Sequence, residues 1–203
     1  MKAIELMQEG KLHHWNDPEI NELGKKAELL IEQYNATKVG EDEKRKNILQ
    51  ELLGEGGDKC CIKPPFHCDY GKFIEIGEGS FLNFDCIILD ACKVKIGKMV
   101  LIGPRTCIYS ASHPIYAPIR AEGYDVSKPV TIGDNVWLGG NVVVNPGVTI
   151  GQNTVIGAGS VVTKDIPSNV IAVGNPCKVI REITDEDRVY WEHERDEFLK
   201  NNN

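Results

Sequence analysis

The sequence predicts a mainly β protein, a parallel solenoid of short strands flanked by helices, and three observations predict it. From Ile132 the chain cuts into sixes, IGDNVW, LGGNVV, VNPGVT, IGQNTV, IGAGSV and VTKDIP, with an aliphatic residue opening each block at 132, 138, 144, 150, 156 and 162. The blocks IGKMVL, IGPRTC and IYSASH open at 96, 102 and 108 in the same phase. A third run, IGEGSF, LNFDCI and ILDACK, opens at 76, 82 and 88, so a slip of two residues lies between Cys92 and Ile96.

A period of six matches neither the 3.6 of a helix nor the 2 of a plain strand. It fits short strands joined by tight turns, the opening aliphatic being buried each time. The glycine that usually follows suits a turn with unusual backbone angles. Three such strands make one triangular coil, and coils stack. A β-sandwich with regular turns does not explain six in-phase blocks in a row. Spacing leaves the hand of the coil open, although the general crossover rule favours a right-handed one.

Helices are expected on both sides. In "DPEINELGKKAELLIEQYNAT" Asp17 can cap a helix that Pro18 opens, and Ile20, Leu23, Ala27, Leu30 and Ile31 recur at helical spacing. "EDEKRKNILQELLG" follows as a second helix closed by Gly54, giving a helical region over about 1–55. Residues 56–181 form the coil, and 182–203 a C-terminal helix that Thr184 and Asp187 open as a near capping box, ending in a frayed Asn tail.

The rhythm breaks at "YSASHPIYAP". It stops after Ile108 and resumes in phase at Ile132, so a loop of about 111–129 leaves the coil without disturbing it. His113 stands at the break. An imidazole there can act as a general base, though a loop histidine that caps or packs is the plainer reading of one sequence alone.

Bulk properties narrow the classes. A formal charge of −7, from 23 basic and 30 acidic residues, argues against a general nucleic-acid binder. The start "MKAIELMQEGKLHHW" has no apolar h-region, and no run reaches membrane-helix length. Seven scattered cysteines without a CxxC pair read as packing residues of a reducing cytoplasm. Cys107, near His113, falls at a position taken as small and buried.

The blocks, with "PPFHCDYG", "NFDCIILD", "SASHP", "KPVTIGDNVWLGGNVVVNPGVTIG", "VIGAGSVVTKDIPSNV" and "GNPCKVIREI", resemble the maltose and galactoside O-acetyltransferases of the hexapeptide-repeat acyltransferases. The resemblance spans nearly the whole chain in the family's order. It implies a left-handed parallel β-helix, a hexapeptide-repeat solenoid with an N-terminal helical hairpin and a C-terminal helix. It also implies a homotrimer with intersubunit active sites and transfer of an acetyl group from acetyl-CoA, a co-substrate, to a sugar hydroxyl. No permanently bound cofactor is implied.

Residue by residue, the resemblance makes His113 the catalytic base, acting in a ternary complex without a covalent acetyl-enzyme. Asp69 and Asn83 match acceptor-contacting positions, and Asp90 and Asp125 are further acidic candidates in similar surroundings. Gly140 matches a position at the thioester, its N–H suited to an oxyanion. Ala158 matches the pantetheine channel, Thr163 and Lys164 the region holding the CoA end, and Lys178 and Arg181 the phosphate-binding positions. Lysine at 178, where relatives often carry arginine, keeps the charge without the fork.

Two departures bear on the acceptor. Ala91 stands where galactoside-type members tend to have an acidic residue, and "HHW" at His13–Trp15 replaces another. Trp15 can stack on a sugar or pack in a core. An acceptor bearing another hydroxyl or an amine, such as an antibiotic or cell-surface sugar, is the alternative enzyme; a non-catalytic scaffold is the alternative non-enzyme. A metal site like that of a zinc carbonic anhydrase is not expected, since no ligand spacing surrounds His113 and the remaining histidines are His13, His14, His67 and His193.

Overall fold

The computed structural model describes residues 2–202, so Asn203 of the expected frayed tail lies outside the described residues. Four elements precede the coil: α1 (Ala3–Gln8), β1 (His13–His14), α2 (Pro18–Asn35) and α3 (Asp42–Leu52). Asp17 caps α2 as its position suggests, accepting from the N–H of Glu19 and Ile20 at 2.9 and 3.4 Å. Ile20, Ala27, Leu30, Ile31 and Tyr34 form the buried face of α2, and Ile48, Leu49 and Leu52 that of α3. This face closes the open end of the coil, which would otherwise present unpaired strand edges. The Tyr34 hydroxyl donates to the Ile62 carbonyl, and the Asn35 amide brackets Phe66, donating to its carbonyl and accepting from its N–H, both at 2.9 Å.

The first coil is β2 (Cys61–Ile62), β3 (Phe66–Cys68) and β4 (Ile74–Ile76); the second is β5 (Phe81–Leu82), β6 (Cys86–Leu89) and β7 (Val94–Ile96). The third begins with β8 (Leu101–Ile102) and β9 (Cys107–Tyr109), then departs into β10 (Ala111–Ser112), α4 (Ala117–Ala121) and β11 (Tyr124–Ser127) before β12 (Val130–Ile132) closes it. β13 (Trp137–Leu138), β14 (Val143–Val144) and β15 (Thr149–Ile150) make the fourth; β16 (Val155–Ile156) and β17 (Val161–Val162) begin the fifth. The chain ends with β18 (Val170–Val173), β19 (Lys178–Glu182) and α5 (Asp185–Asn201).

Parallel pairing stacks these strands into three faces. The first holds β2, β5, β8, β13, β16 and β18, the second β3, β6, β9, β14 and β17, and the third β4, β7, β12 and β15. The block-opening residues Ile132, Leu138, Val144, Ile150, Ile156 and Val162 are all at most 1% exposed, so the six-residue rhythm is the core itself.

The phase slip has a structural cause. Ile62, Leu82 and Ile102 stack in register twenty residues apart, whereas Leu138 and Ile156 stack eighteen apart. The first two coils therefore carry two extra residues each. The extra residues lie at the corner between the second and third faces, where Asp69 and Asp90 sit.

Outward-facing residues differ by face. The first face shows the row Cys61, Phe81, Leu101, Trp137, Val155 and Ile171, with Leu101 and Trp137 51% and 54% exposed. The second shows His67, Ile87, Cys107, Val143 and Val161. Cys107 thus faces outward and is half-buried, contrary to the inward position expected of it. The third face is polar: Glu75, Lys95, Thr131 and Thr149.

The N-terminal region is not helical throughout. The chain turns at Gly10 (φ +70°) and β1 pairs antiparallel with β11 of the loop, His13 opposite Asp125 and His14 opposite Tyr124. β11 in turn pairs with β10, so the excursion is a three-stranded antiparallel sheet rather than a free loop. At the other end α5 begins with the capping box: the N–H of Thr184 donates to Asp187 Oδ2 at 2.9 Å.

Candidate active site

His113 lies one residue past β10. Ser112 pairs with Val126, so the same register brings His113 opposite Asp125. His113 Nδ1 is 2.6 Å from Asp125 Oδ1. A carboxylate only accepts, so the shared hydrogen sits on Nδ1, and in the neutral ring Nε2 then keeps its lone pair. The ring is exposed, and Nε2 is the atom it offers to a ligand. Asp125, expected as an acceptor contact, holds the Nδ1 side of this ring.

The excursion is held from several sides. Arg120 donates to the carbonyls of Pro114 and Ile115 at 2.7 and 3.2 Å. The Ser127 hydroxyl donates to the Met7 carbonyl, and the Trp15 N–H to the Gly123 carbonyl. His14 Nε2 lies 3.1 Å from the Glu122 carbonyl. Gly123, at φ +90°, is needed twice over: its backbone favours glycine, and a Cβ would lie within 2.9 Å of both Trp15 and His14. Sequence reasoning missed this anchoring, because a two-residue strand pairing over a hundred residues away leaves no periodic trace.

Asp90 and Asp69 occupy the expanded corner beneath the excursion. Asp90 is fully buried and accepts from the N–H of Asp69, Tyr70 and Phe73 at 3.1, 2.9 and 3.2 Å. It therefore shapes the corner and has no surface for an acceptor, which corrects the expectation for this residue. Burial pushes its carboxyl up, and the backbone donors pull it back down. Asp69 is half-buried above it. Burial first, then the charges of Asp90 and Asp125, push the Asp69 carboxyl up to about 7.

The remaining candidates fall elsewhere. Thr163 and Lys164 follow β17 on the same corner as Asp69 and His113, and both are exposed. Asn83, Gly140 and Ala158 lie on the other edge of the second face, where Gly159 N–H donates to the Gly140 carbonyl. Among the described residues no carbonyl accepts from the Gly140 N–H. The Asn83 Oδ1 accepts from the Phe84 N–H, and Asn83 is half-buried. A face is crossed in about five residues, roughly 16 Å at strand rise, so one chain cannot bring both edges onto one small ligand.

Lys178 and Arg181 stand on β19, which pairs antiparallel with β18. Lys178 is exposed. The Arg181 guanidinium is forked onto Asp187, Nη1 to Oδ2 at 2.6 Å and Nη2 to Oδ1 at 2.8 Å. That fork, with the Thr184 N–H, holds the Asp187 carboxyl down at about 2.

Two family models match the chain: the bacterial transferase hexapeptide (six repeats) over residues 129–164, and the maltose acetyltransferase hexapeptide capping motif over residues 6–57. The galactoside O-acetyltransferase of Escherichia coli (strain K12) is 42% identical, with 94% of each chain covered. Nodulation protein L of Rhizobium meliloti (strain 1021) is 44% identical over 86% of this chain and 96% of its own length. Among solved structures, a maltose O-acetyltransferase from Clostridium difficile 630 superposes with a TM-score of 0.89 at 48% identity, covering 91% of this chain and 98% of that one. A galactoside acetyltransferase in complex with coenzyme A superposes with a TM-score of 0.85 at 41% identity, covering 93% and 94%.

A hexapeptide solenoid with these relatives places the chain among the acyltransferases of the hexapeptide-repeat class. Within that class, the chain belongs to the galactoside and maltose O-acetyltransferase family and is an acetyltransferase.

Proposed function

We propose that this protein moves the acetyl group of acetyl-CoA directly to a sugar hydroxyl, with His113 as general base. The observation that carries this reading is the His113–Asp125 pair, which leaves Nε2 free to receive a proton. Nε2 takes the hydroxyl proton as the oxygen attacks the thioester carbon, and returns it to the departing thiolate. Asp125 stabilises the imidazolium between those two transfers. Gly140 N–H is suited to the oxyanion that forms on the thioester carbonyl. Ala158 leaves room for the pantetheine arm, Thr163 and Lys164 hold the CoA end, and Lys178 and Arg181 meet its phosphates. The solved coenzyme A complex of the galactoside relative supports this choice of co-substrate.

A homotrimer with sites between subunits is part of the same proposal. The catalytic set and the oxyanion set lie on opposite edges of one face, so a complete site draws them from neighbouring chains. The outward rows of the first and second faces are apolar and the third is polar, as a ring closed through two faces requires. The acceptor meets Asp69 and the amide of Asn83. A carboxyl held near neutrality can donate to a sugar oxygen as well as accept from a hydroxyl.

Exposed Trp15 beside the excursion, and Ala91 without a carboxylate, favour a second reading in which the acceptor is another hydroxyl or an amine compound. A panel of sugars, amines and antibiotics, assayed by thiol release from acetyl-CoA, separates the two. Turnover with sugars supports the first reading; turnover confined to amines or antibiotics replaces it with the second. Among the described residues no helix is long and apolar enough to cross a membrane, and the seven cysteines are free; a cytoplasmic enzyme fits both observations.

A further inference from the structure

A polar cleft of about 420 Å³ opens between the N-terminal half of α2 and the expanded corner at Cys68–Tyr70. Asn21, Gly24, Lys25, Glu28, Asp69 and Tyr70 line it. Its volume falls within the roughly 300–1,000 Å³ of small-ligand pockets.

Gly24 is the unexpected member. It sits in the interior of α2, where glycine destabilises a helix relative to alanine. No left-handed backbone calls for it, and a Cβ there would meet only Tyr70 Cε1, at an ordinary 3.7 Å. Neither backbone nor packing requires glycine at this position. What its missing side chain does is keep the cleft open in front of Tyr70 and Asp69.

The cleft joins the catalytic excursion by two routes. On one side Asp69 itself lines the cleft, on the corner between the second and third faces from which the excursion leaves. On the other, Asn21 Nδ2 donates to Asn16 Oδ1 at 2.9 Å, and the neighbouring Trp15 N–H donates to Gly123, two residues before Asp125. The lining holds the Lys25 ammonium, the carboxyls of Glu28 and Asp69, the Asn21 amide and the Tyr70 ring. Such a lining offers donors and acceptors in several directions, as a polyhydroxylated neutral ligand needs.

We propose that this cleft is a second acceptor subsite, kept open by Gly24, which receives the next ring of a neutral oligosaccharide whose first ring presents its hydroxyl to His113. It rests on the sugar-acceptor reading above. Gly24→Leu fills the cleft with a good helix former, and Gly24→Ala is the control for helix effects. Rates with glucose and with maltose are compared, alongside saturation-transfer NMR of maltose on each protein.

With the subsite present, both rings of maltose take saturation from the wild type, and only one from Gly24→Leu. kcat/KM for maltose falls about tenfold in that variant while glucose changes less than about twofold. Gly24→Ala keeps most of the wild-type preference. Equal losses on both sugars, or a wild type that touches only one ring of maltose, overturn the subsite and leave the sugar-transfer reading standing. Turnover of neither sugar removes that reading and, with it, the acceptor subsite.

Discussion

His113 Nδ1 and Asp125 Oδ1 lie 2.6 Å apart across the β10–β11 hairpin, and the partner strand β1 sets His13 opposite the same aspartate. The imidazole is therefore fixed by sheet register rather than by a flexible loop. His113→Ala removes the proton acceptor and is expected to lower kcat by about 10²–10⁴-fold. Asp125→Ala leaves the imidazole in place but frees its tautomer and rotation. Its kcat is expected to fall roughly tenfold to hundredfold with KM for acetyl-CoA unchanged. Steady-state kinetics on both variants, with gel filtration to show an unchanged assembly, makes the measurement. A wild-type kcat in Asp125→Ala would show that the pair orients nothing of consequence.

Asp69 gives a pH-dependent stability. Its folded carboxyl titrates near 7, against about 3.9 in an unfolded chain. Between those values the folded state keeps a proton that the unfolded state has released. Stability from this group is therefore full below about pH 4 and falls as pH rises to about 7. Asp69→Asn removes the cost of a buried charge, so above pH 7 it is expected to be the more stable protein, by at most about 4 kcal/mol. At pH 4 the difference disappears. Thermal melts of both proteins from pH 4 to 8 test the sign; a variant less stable than wild type at pH 8 would contradict it.

The same corner shows what the sequence could and could not convey. Ile132 to Val162 reveal the core because a six-residue repeat is a local property, fixed by each strand and its turn. The slip between Cys92 and Ile96 is equally visible, but its meaning is not. Only stacking shows that the extra residues of the first two coils coincide and carry Asp69 and Asp90. Asp90 and Asp125 are both aspartates near turns, and nothing in their neighbours separates them. Burial against three backbone N–H groups makes one a buttress, and sheet register makes the other the partner of His113. The pairing of β1 with β11 was hidden for a related reason, since two-residue strands have no period.

Asp90→Ala is expected to be costly for stability. It strands buried N–H donors of the corner at Asp69, Tyr70 and Phe73, at about 1–3 kcal/mol for such a group. Urea unfolding measures the loss, and hydrogen exchange at those three amides localises it. Unchanged protection there would mean that other contacts hold the corner.

The division of site residues between two edges makes the last prediction. His113, Asp125 and Asp69 lie on one edge of the second face, and Asn83, Gly140 and Ala158 on the other. His113→Ala disables the first set alone. Ala158→Trp, on an exposed corner position, blocks the second set without touching the core. Each variant is expected to be inactive as a pure trimer. Mixed trimers differ, because a site between subunits takes its base from one chain and its other edge from the next. In every mixed trimer, whichever variant is in the majority, about a third of the sites then combine two undamaged edges. Coexpression of the two variants under different tags, with double-tag purification, should restore measurable thiol release. Sites contained within single chains would give none, since every chain carries one lesion. Trp137→Glu, placed in the apolar outward row of the first face, completes the comparison. It is expected to dissociate the assembly in light scattering and to abolish activity with His113 and Gly140 both intact.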